Sequence, residues 1–302
     1  VKHLESASFI ELDNCPLCGS SNHIVYLSTQ DYFLSGEYFK INECTVCGHL
    51  FTNPQPTGEH IGKYYKSDRY LSHKENPESL FERMYASVRW LNLRTKYKQV
   101  TAGLSGGKLL DYGCGRGDFL AIASGRKWEC IGIEQDEDAR KIAEKSHNLK
   151  VLPTNAPVDT FQSQFDLITM FHVLEHIPDL HSIMNNLNNW LKDNGRLAIA
   201  LPNPRSYDAL HYRQYWAAWD VPRHLHHFKT ETIIRLAGQY GLQLKTVHAM
   251  YWDAFFVSML SEEYKKSKLP LIKSVAIGFL SNFNAMRSKQ FSSLLYLFSK
   301  SD

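Results

Sequence analysis

From residue 23 to residue 43, "HIVYLSTQDYFLSGEYFKINE" alternates apolar and polar side chains, the period of two that predicts half-buried strands. "FTNPQPT" (51–57) breaks that alternation with two prolines and predicts a linker. In "PESLFERMYASVRWLNLRTKYKQVTAGL" (77–104) the period lengthens: Leu80, Met84, Val88, Leu91 and Val100 lie mostly on one stripe, which predicts a helix packed along that side. Beyond it come short apolar runs, "KLLDY", "ECIGIE", "FDLITMF" and "RLAIAL". Between the last two, Leu180, Ile183, Met184, Leu187 and Leu191 form a helical stripe that Gly195 is expected to end. Strands alternating with helices predict βαβ units and a parallel sheet. "SVAIGFLSNFNAM" (274–286) is uncharged but too short and too polar to span a bilayer, and reads as a core helix; a lipid-facing surface is the other reading.

The chain has 302 residues, 43% hydrophobic and 22% charged, which suits a soluble protein of one large or two modest domains. A net charge of +3 does not mark a nucleic-acid binder. "VKHLESASFIELDN" has no apolar core of a signal peptide, and no run reaches the ~18 apolar residues of a membrane span. Of six cysteines, four form two Cys-x-x-Cys pairs, Cys15/Cys18 and Cys44/Cys47, each followed by glycine. In a chain without a secretion signal this argues for metal over disulfides, and for a reducing, cytoplasmic setting. Two such knuckles complete a four-sulfur tetrahedron that suits Zn2+, with no open position, so the expected role is structural.

"KLLDYGCGRGDFL" (108–120) ends an apolar strand in Asp111 and then spaces Gly113, Gly115 and Gly117 before a helix start. Glycines there let a ligand approach the backbone, and the helix N-terminus favours negative groups. A dinucleotide fingerprint would need its third glycine at 118, which is Asp118. Glu134 ends the next apolar strand, where a carboxylate can hold ribose hydroxyls; the other reading is an acidic helix start.

"WDVPRHLHHF" (219–228) gathers Asp220, Arg223, His224, His226 and His227. Histidine titrates near neutrality, so a proton-handling role competes with structural histidines bonding backbone carbonyls. His226 and His227, being adjacent, point to opposite sides in an extended segment, and at least one is expected to be solvated. A metal site lacks a third ligand at helical or knuckle spacing. Arg223 has the planar fork that grips a phosphate or carboxylate, Asp220 can orient a histidine, and Tyr215 and Trp216 can wall an acceptor, although core packing suits the tryptophan.

"LLDYGCGRGDFL" with "IGIEQ" resembles the first two motifs of the Rossmann-like S-adenosylmethionine-dependent methyltransferases. "FDLITMFHVLEHIPDL" (165–180) and "WLKDNGRLAIALPNP" (190–204) are similar to the family's fourth- and fifth-strand regions, in the family's order. The resemblance implies an α/β fold: a Rossmann-like seven-stranded sheet with one antiparallel strand, here "SSLLYLFSK" (292–300), and an N-terminal zinc-ribbon lobe built on the four paired cysteines. It implies that Asp111, Gly113, Gly115 and Gly117 flank the methionine part of S-adenosylmethionine and that Glu134 holds its ribose. Asn155 is an adenine-side candidate, and His172 either touches the cofactor or packs. The implied domains are residues 1–58 (zinc ribbon and linker), 59–105 (helical connector) and 106–302 (methyltransferase domain with an acceptor-binding insertion at 204–230).

The insertion is similar to a segment of zinc-ribbon methyltransferases linked to sugar and surface-polysaccharide pathways. That likeness implies a sugar acceptor, nucleotide-linked or part of a glycan, with His224 as general base, Phe228 as its anchor, and Tyr215, Asp220, Arg223 and His227 around the acceptor. Related sugar C-methyltransferases tend to carry Glu where this chain has Arg223. An RNA methyltransferase is a rival reading, but residues 1–60 hold only Lys2 and Lys40 against Glu5, Glu11, Asp13, Asp31, Glu37, Glu43 and Glu59, the wrong sign for a phosphate grip. A quinone or phenol O-methyltransferase and a non-catalytic cofactor-binding module are further alternatives. Oligomeric state is open.

Overall fold

The computed structural model describes residues 8–65, 80–156 and 161–301, without the side chains of 80–90. The alternating segment forms β2 (His23–Gln30) and β3 (Tyr38–Cys44), an antiparallel pair that β4 (Leu50–Thr52) extends. A small pair, β1 (Phe9–Ile10) with β5 (Gln55–Pro56), lies beside them. The expected linker at 51–57 is therefore strand: Phe51, Thr52, Gln55 and Pro56 are buried. Prolines are compatible with it because Pro56 sits in a two-residue edge pairing.

Helix α1 (Leu80–Thr101) follows. Of its expected stripe, Leu80, Met84 and Val88 have side chains outside the described set, Val100 is fully buried, and Leu91 is exposed instead of packed. The sheet then begins: β6 (Gly107–Tyr112), α2 (Asp118–Ser124), β7 (Trp128–Ile133), α3 (Glu137–His147), β8 (Lys150–Leu152), β9 (Phe165–Phe171), α4 (Leu180–Trp190) and β10 (Leu191–Pro202). Asp136 and Asp179 cap α3 and α4 by accepting from backbone N–H groups of their first turns. Helix α4 ends at Trp190, not at Gly195, because Leu191 pairs with Phe165 and starts β10. Gly195 instead occupies the register shift that follows, where a Cβ would lie 2.7 Å from the Leu191 side chain.

After α5 (Tyr207–Tyr212) come β11 (His226–His227), α6 (Thr230–Gly238), β12 (Leu242–Ala249), α7 (Asp253–Tyr264), α8 (Pro270–Ser288) and β13 (Ser293–Lys300). The seven strands run in the order β12-β13-β10-β9-β6-β7-β8, with β13 antiparallel to both neighbours as expected. Residues 197–201 of β10 are buried without interruption, as in a strand covered on both faces. No helix among the described residues is long and apolar enough to cross a membrane. The 274–286 segment is helical, but of its large apolar side chains only Ile277 is buried, while Val275, Phe279, Leu280, Phe283 and Met286 face outward, contrary to the core-helix reading.

β11 does not join the large sheet. It is the fourth strand of the ribbon sheet, antiparallel to β4, with His226 opposite Phe51 and His227 opposite Leu50. Arg223, fully buried just before it, donates to both oxygens of Asp220, to Asp31 at 3.0 Å and to the Tyr64 carbonyl at 3.0 Å. Asp31 lies in the ribbon, so this knot ties the two regions together. Arg223→Ala would strand Asp31 in the interior without its counter-charge. We expect a loss of about 3–5 kcal/mol in chemical denaturation, and a change near zero would contradict the knot's structural role.

Candidate functional site

The carboxyl ends of β6, β7, β9 and β10 form one edge of the sheet, where folds of this kind leave room for ligands. Asp111, the penultimate residue of β6, is buried and accepts a 2.6 Å hydrogen bond from Thr169 on β9. Burial pushes its carboxyl up to about 7, against the pull of Thr169 and Lys96. The three glycines beyond it all have positive φ, but for different ends. A Cβ on Gly113 would sit 2.3 Å from Val173, and one on Gly117 would sit 2.6 Å from Leu149, so these two glycines allow close packing. A Cβ on Gly115 would meet nothing within 4 Å. Its missing side chain leaves open space at the sheet edge. The Gly115 N–H donates to Glu134 Oε2 at 2.8 Å, and Asp136 N–H donates to Oε1 at 2.9 Å, so Glu134 is held over that opening. A backbone cradle with an acid at its rim fits a cofactor carrying ribose hydroxyls and an ammonium group. Asn155 lies exposed in the turn after β8.

From this cradle a band of charged groups crosses toward β11. Lys96 of α1 sits over the Phe171 ring; burial lowers its pKa, while Asp253 and Asp111 raise it. His172, at φ 58°, lies between Asp253 (3.2 Å) and Glu175 (3.6 Å). Burial lowers His172, but the two acids outweigh it and raise its pKa to about 9. Glu175 is only 1% exposed, and neither of its carboxylate oxygens has a hydrogen-bond partner. Burial raises it, yet His172, His224 and His176 around it hold it below the usual carboxylate range.

The segment 219–228 thus packs into the interior. His224 donates from Nδ1 to the Ala218 carbonyl at 2.9 Å, which turns Nε2 toward Glu175 (4.0 Å) and Asp220 (3.9 Å). His176 donates from Nδ1 to the Arg223 carbonyl at 2.9 Å and meets the His224 ring edge to face. His226 donates to the Ile177 carbonyl and accepts from His49. His227 bonds Thr52 Oγ1 at 3.1 Å and packs on Trp219. Neither is solvated, contrary to expectation, because strand pairing with β4 draws both inward, and burial keeps both pKa values low. Arg223 spends its fork on internal partners instead of opening toward a ligand. Tyr215 is half-buried against Tyr32, and Trp216 is core, its indole N–H on Asp208.

Two clusters among the described residues have the spacing of metal ligands. Cys15, Cys18, Cys44 and Cys47 form the first, with Cys15–Cys47 and Cys18–Cys44 sulfurs each 3.6 Å apart, close to the edge of a tetrahedron built on bonds of about 2.3 Å. Glu175, His176 and His224 form the second. Only His224 comes from the histidine segment; the other two ligands, Glu175 and His176, come from the turn after β9, some fifty positions upstream. Sequence reasoning singles out none of Lys96, Asp253, Glu175 and His176 as site residues. The acid and histidine of "LEHIPD" offered the one available signal, a charged pair placed just past a buried strand.

Residues 89–247 match the family model of the methyltransferase domain. The chain belongs to that family. It is 30% identical over 188 residues to a ubiquinone biosynthesis O-methyltransferase of Glaesserella parasuis serovar 5 (strain SH0165), a match covering 56% of this chain and 80% of the relative. A ubiquinone biosynthesis O-methyltransferase of Pseudomonas aeruginosa (strain UCBPP-PA14) is 28% identical over 125 residues, 38% of this chain and 53% of that protein. The chain thus spans about half the length of that second relative. Among solved structures, the geranyl diphosphate C-methyltransferase of Streptomyces coelicolor A3(2) shares the fold, with a TM-score of 0.52 at 16% identity over 80% of this chain and 97% of that one. The protein is an S-adenosylmethionine-dependent methyltransferase with a mostly parallel seven-stranded sheet.

Asp111 sets a pH dependence on the cofactor-free methyltransferase. The unfolded chain releases this proton in the ordinary carboxylate range, whereas the folded chain holds it up to about 7. The stability contributed at this group is therefore complete at acid pH and is lost as pH rises toward about 7. Asp111→Asn should flatten that loss in denaturation midpoints compared between acid and neutral pH. An unchanged slope would show that Asp111 already ionises normally.

Proposed function

We propose that this methyltransferase acts on a hydroxyl oxygen of a small-molecule acceptor, with His224 taking the proton. The observation that carries this reading is Glu175, a buried carboxylate with no hydrogen bond on either oxygen, facing the Nε2 of His224. With Nδ1 donating to the Ala218 carbonyl, Nε2 carries the lone pair. As the acceptor hydroxyl proton reaches Nε2, the negative Glu175 stabilises the imidazolium, and removing that proton contributes about 10²–10⁴-fold. S-adenosylmethionine supplies the methyl group: its sulfur–carbon bond breaks as the oxygen–carbon bond forms, and the sulfur keeps the electron pair. In this reading the Gly113–Gly117 turn and Asp111 hold the methionine portion, Glu134 the ribose, and Asn155 flanks the adenine. Val173, packed on Gly113, joins the cradle to the Glu175 cluster two residues on. His172, bridging Asp253 and Glu175, keeps the intervening charges balanced.

Oxygen as the acceptor atom is supported by relatives that carry the name O-methyltransferase, and an aromatic or quinol hydroxyl follows from theirs. The likeness of 219–228 to a segment of sugar-pathway enzymes supports a second reading, a sugar hydroxyl at the same base. Label transfer from methyl-tritiated S-adenosylmethionine to a quinol and phenol fraction, a nucleotide-sugar and glycan fraction, and total RNA separates these. Label confined to RNA would overturn both. His224→Gln is expected to lower turnover about a hundredfold or more while cofactor affinity stays within a few-fold. Unchanged turnover would remove His224 from the mechanism.

The four cysteines are proposed to hold structural Zn2+. The second knuckle turns the chain from β3 into β4, and β4 pairs with the strand that follows His224. Chelation should therefore abolish acceptor turnover and leave cofactor binding in place. Loss of both together would contradict that division of labour.

A further inference from the structure

Helix α8 inverts the amphipathic pattern of a water-soluble helix. Apart from Ile277, the side it buries is small: Ser274, Gly278, Ser281 and Ala285. Gly278 lies so close to Phe255 that a Cβ would meet its ring at 2.5 Å, and Ser281 donates to Asp208 at 2.6 Å. The opposite side carries Ile272, Val275, Phe279, Phe283 and Met286, spaced three and four residues apart and all exposed, Ile272 and Phe283 by two thirds. A helix facing water places its large apolar residues the other way. A continuous stripe of this kind on a folded surface marks a contact with something apolar.

Charge says what that something is. Between residues 264 and 301 the sequence contains no acidic residue. Lys265, Lys266 and Lys268 precede the helix, Lys273 lies in its first turns, and Arg287 and Lys289 close it. All six are exposed, and none forms an ion pair with a described residue. Exposed Tyr251 and Trp252 sit on the adjoining turn, with the Tyr251 carbonyl bonded to Asn282 of α8. An apolar stripe with basic ends and neighbouring aromatic residues suits the boundary between headgroups and acyl chains. A second copy of the chain fits this face poorly, because a two-fold contact would set six cations against six.

We propose that α8 docks the enzyme flat on a bilayer surface rich in anionic lipid. Docking buries the Ile272–Met286 stripe among the acyl chains and leaves the basic ends at the headgroups. The inference is independent of which acceptor is methylated.

The test is flotation of the full chain with vesicles of phosphatidylcholine alone or mixed with phosphatidylglycerol, at low and high salt. Flotation with the mixed vesicles, weakened by salt, is expected. Ile272→Glu with Phe283→Glu should lower the partition at least about tenfold while thermal stability and cofactor affinity stay unchanged. Should that pair misfold, Ile272→Ser with Phe283→Ser serves in its place. Lys265→Ala, Lys266→Ala and Lys268→Ala together should reduce binding to the anionic vesicles selectively. No flotation of the wild type, flotation indifferent to the stripe variants, or a dimer in light scattering that those variants dissociate would each overturn the proposal.

Discussion

Two residues of backbone pairing hold the architecture of this enzyme in register. His226 and His227 add a fourth strand to a ribbon whose other strands lie some 170 positions away, and Thr52 donates to the His224 carbonyl beside them. The short ladder would be weak alone. It is backed by Arg223, whose guanidinium is neutralised by Asp31 from the ribbon and Asp220 from its own turn. It is backed also by Phe51 and Phe228, which share a core with Ile168 and Met170 of the large sheet. The ribbon is thereby part of the wall behind His224, with Cys15 and Cys44 in the same core as Phe228.

Glu175 is the counterpart of that rigidity. A buried carboxylate without hydrogen bonds is costly, and the protein offsets the cost with imidazoles instead of donors that would satisfy each oxygen. His224 and His176 each spend Nδ1 on a backbone carbonyl, so their ring orientations are fixed, and the Nε2 of His224 is left 4.0 Å from Glu175. Glu175, His176 and His224 also stand at the spacing of metal ligands. Asp111, at the other end of the band, is buried in the opposite condition: it accepts a hydrogen bond from Thr169, and burial raises its carboxyl to about 7.

Much of this is legible in the chain itself. Apolar runs separated by helical stripes indicate the parallel sheet, and Asp111 with its three glycines marks the cradle, because local backbone demands leave their trace in residue type. The paired Cys-x-x-Cys knuckles name their own cluster for the same reason. Gly195 reads as a helix stop from its neighbours alone, but the strand pairing that consumes Leu191 depends on Phe165, distant in sequence. Helix α8 reads as core from its apolar composition, while the side it buries is decided by the neighbours Asp208 and Phe255.

The histidine segment divides the two kinds of information most clearly. Its residue types allow either proton handling or backbone bonding, and its sequence does not choose between them. Which histidine faces the site, and which ones merely hold strands together, depends on β4 and on the turn after β9. Sequence determined the periodicities, the knuckles and the glycine turn, because each is set by contacts a few residues long. Tertiary structure alone decided the burial of Arg223, the bare carboxylate of Glu175 and the outward face of α8, because each depends on partners that the chain brings together only by folding.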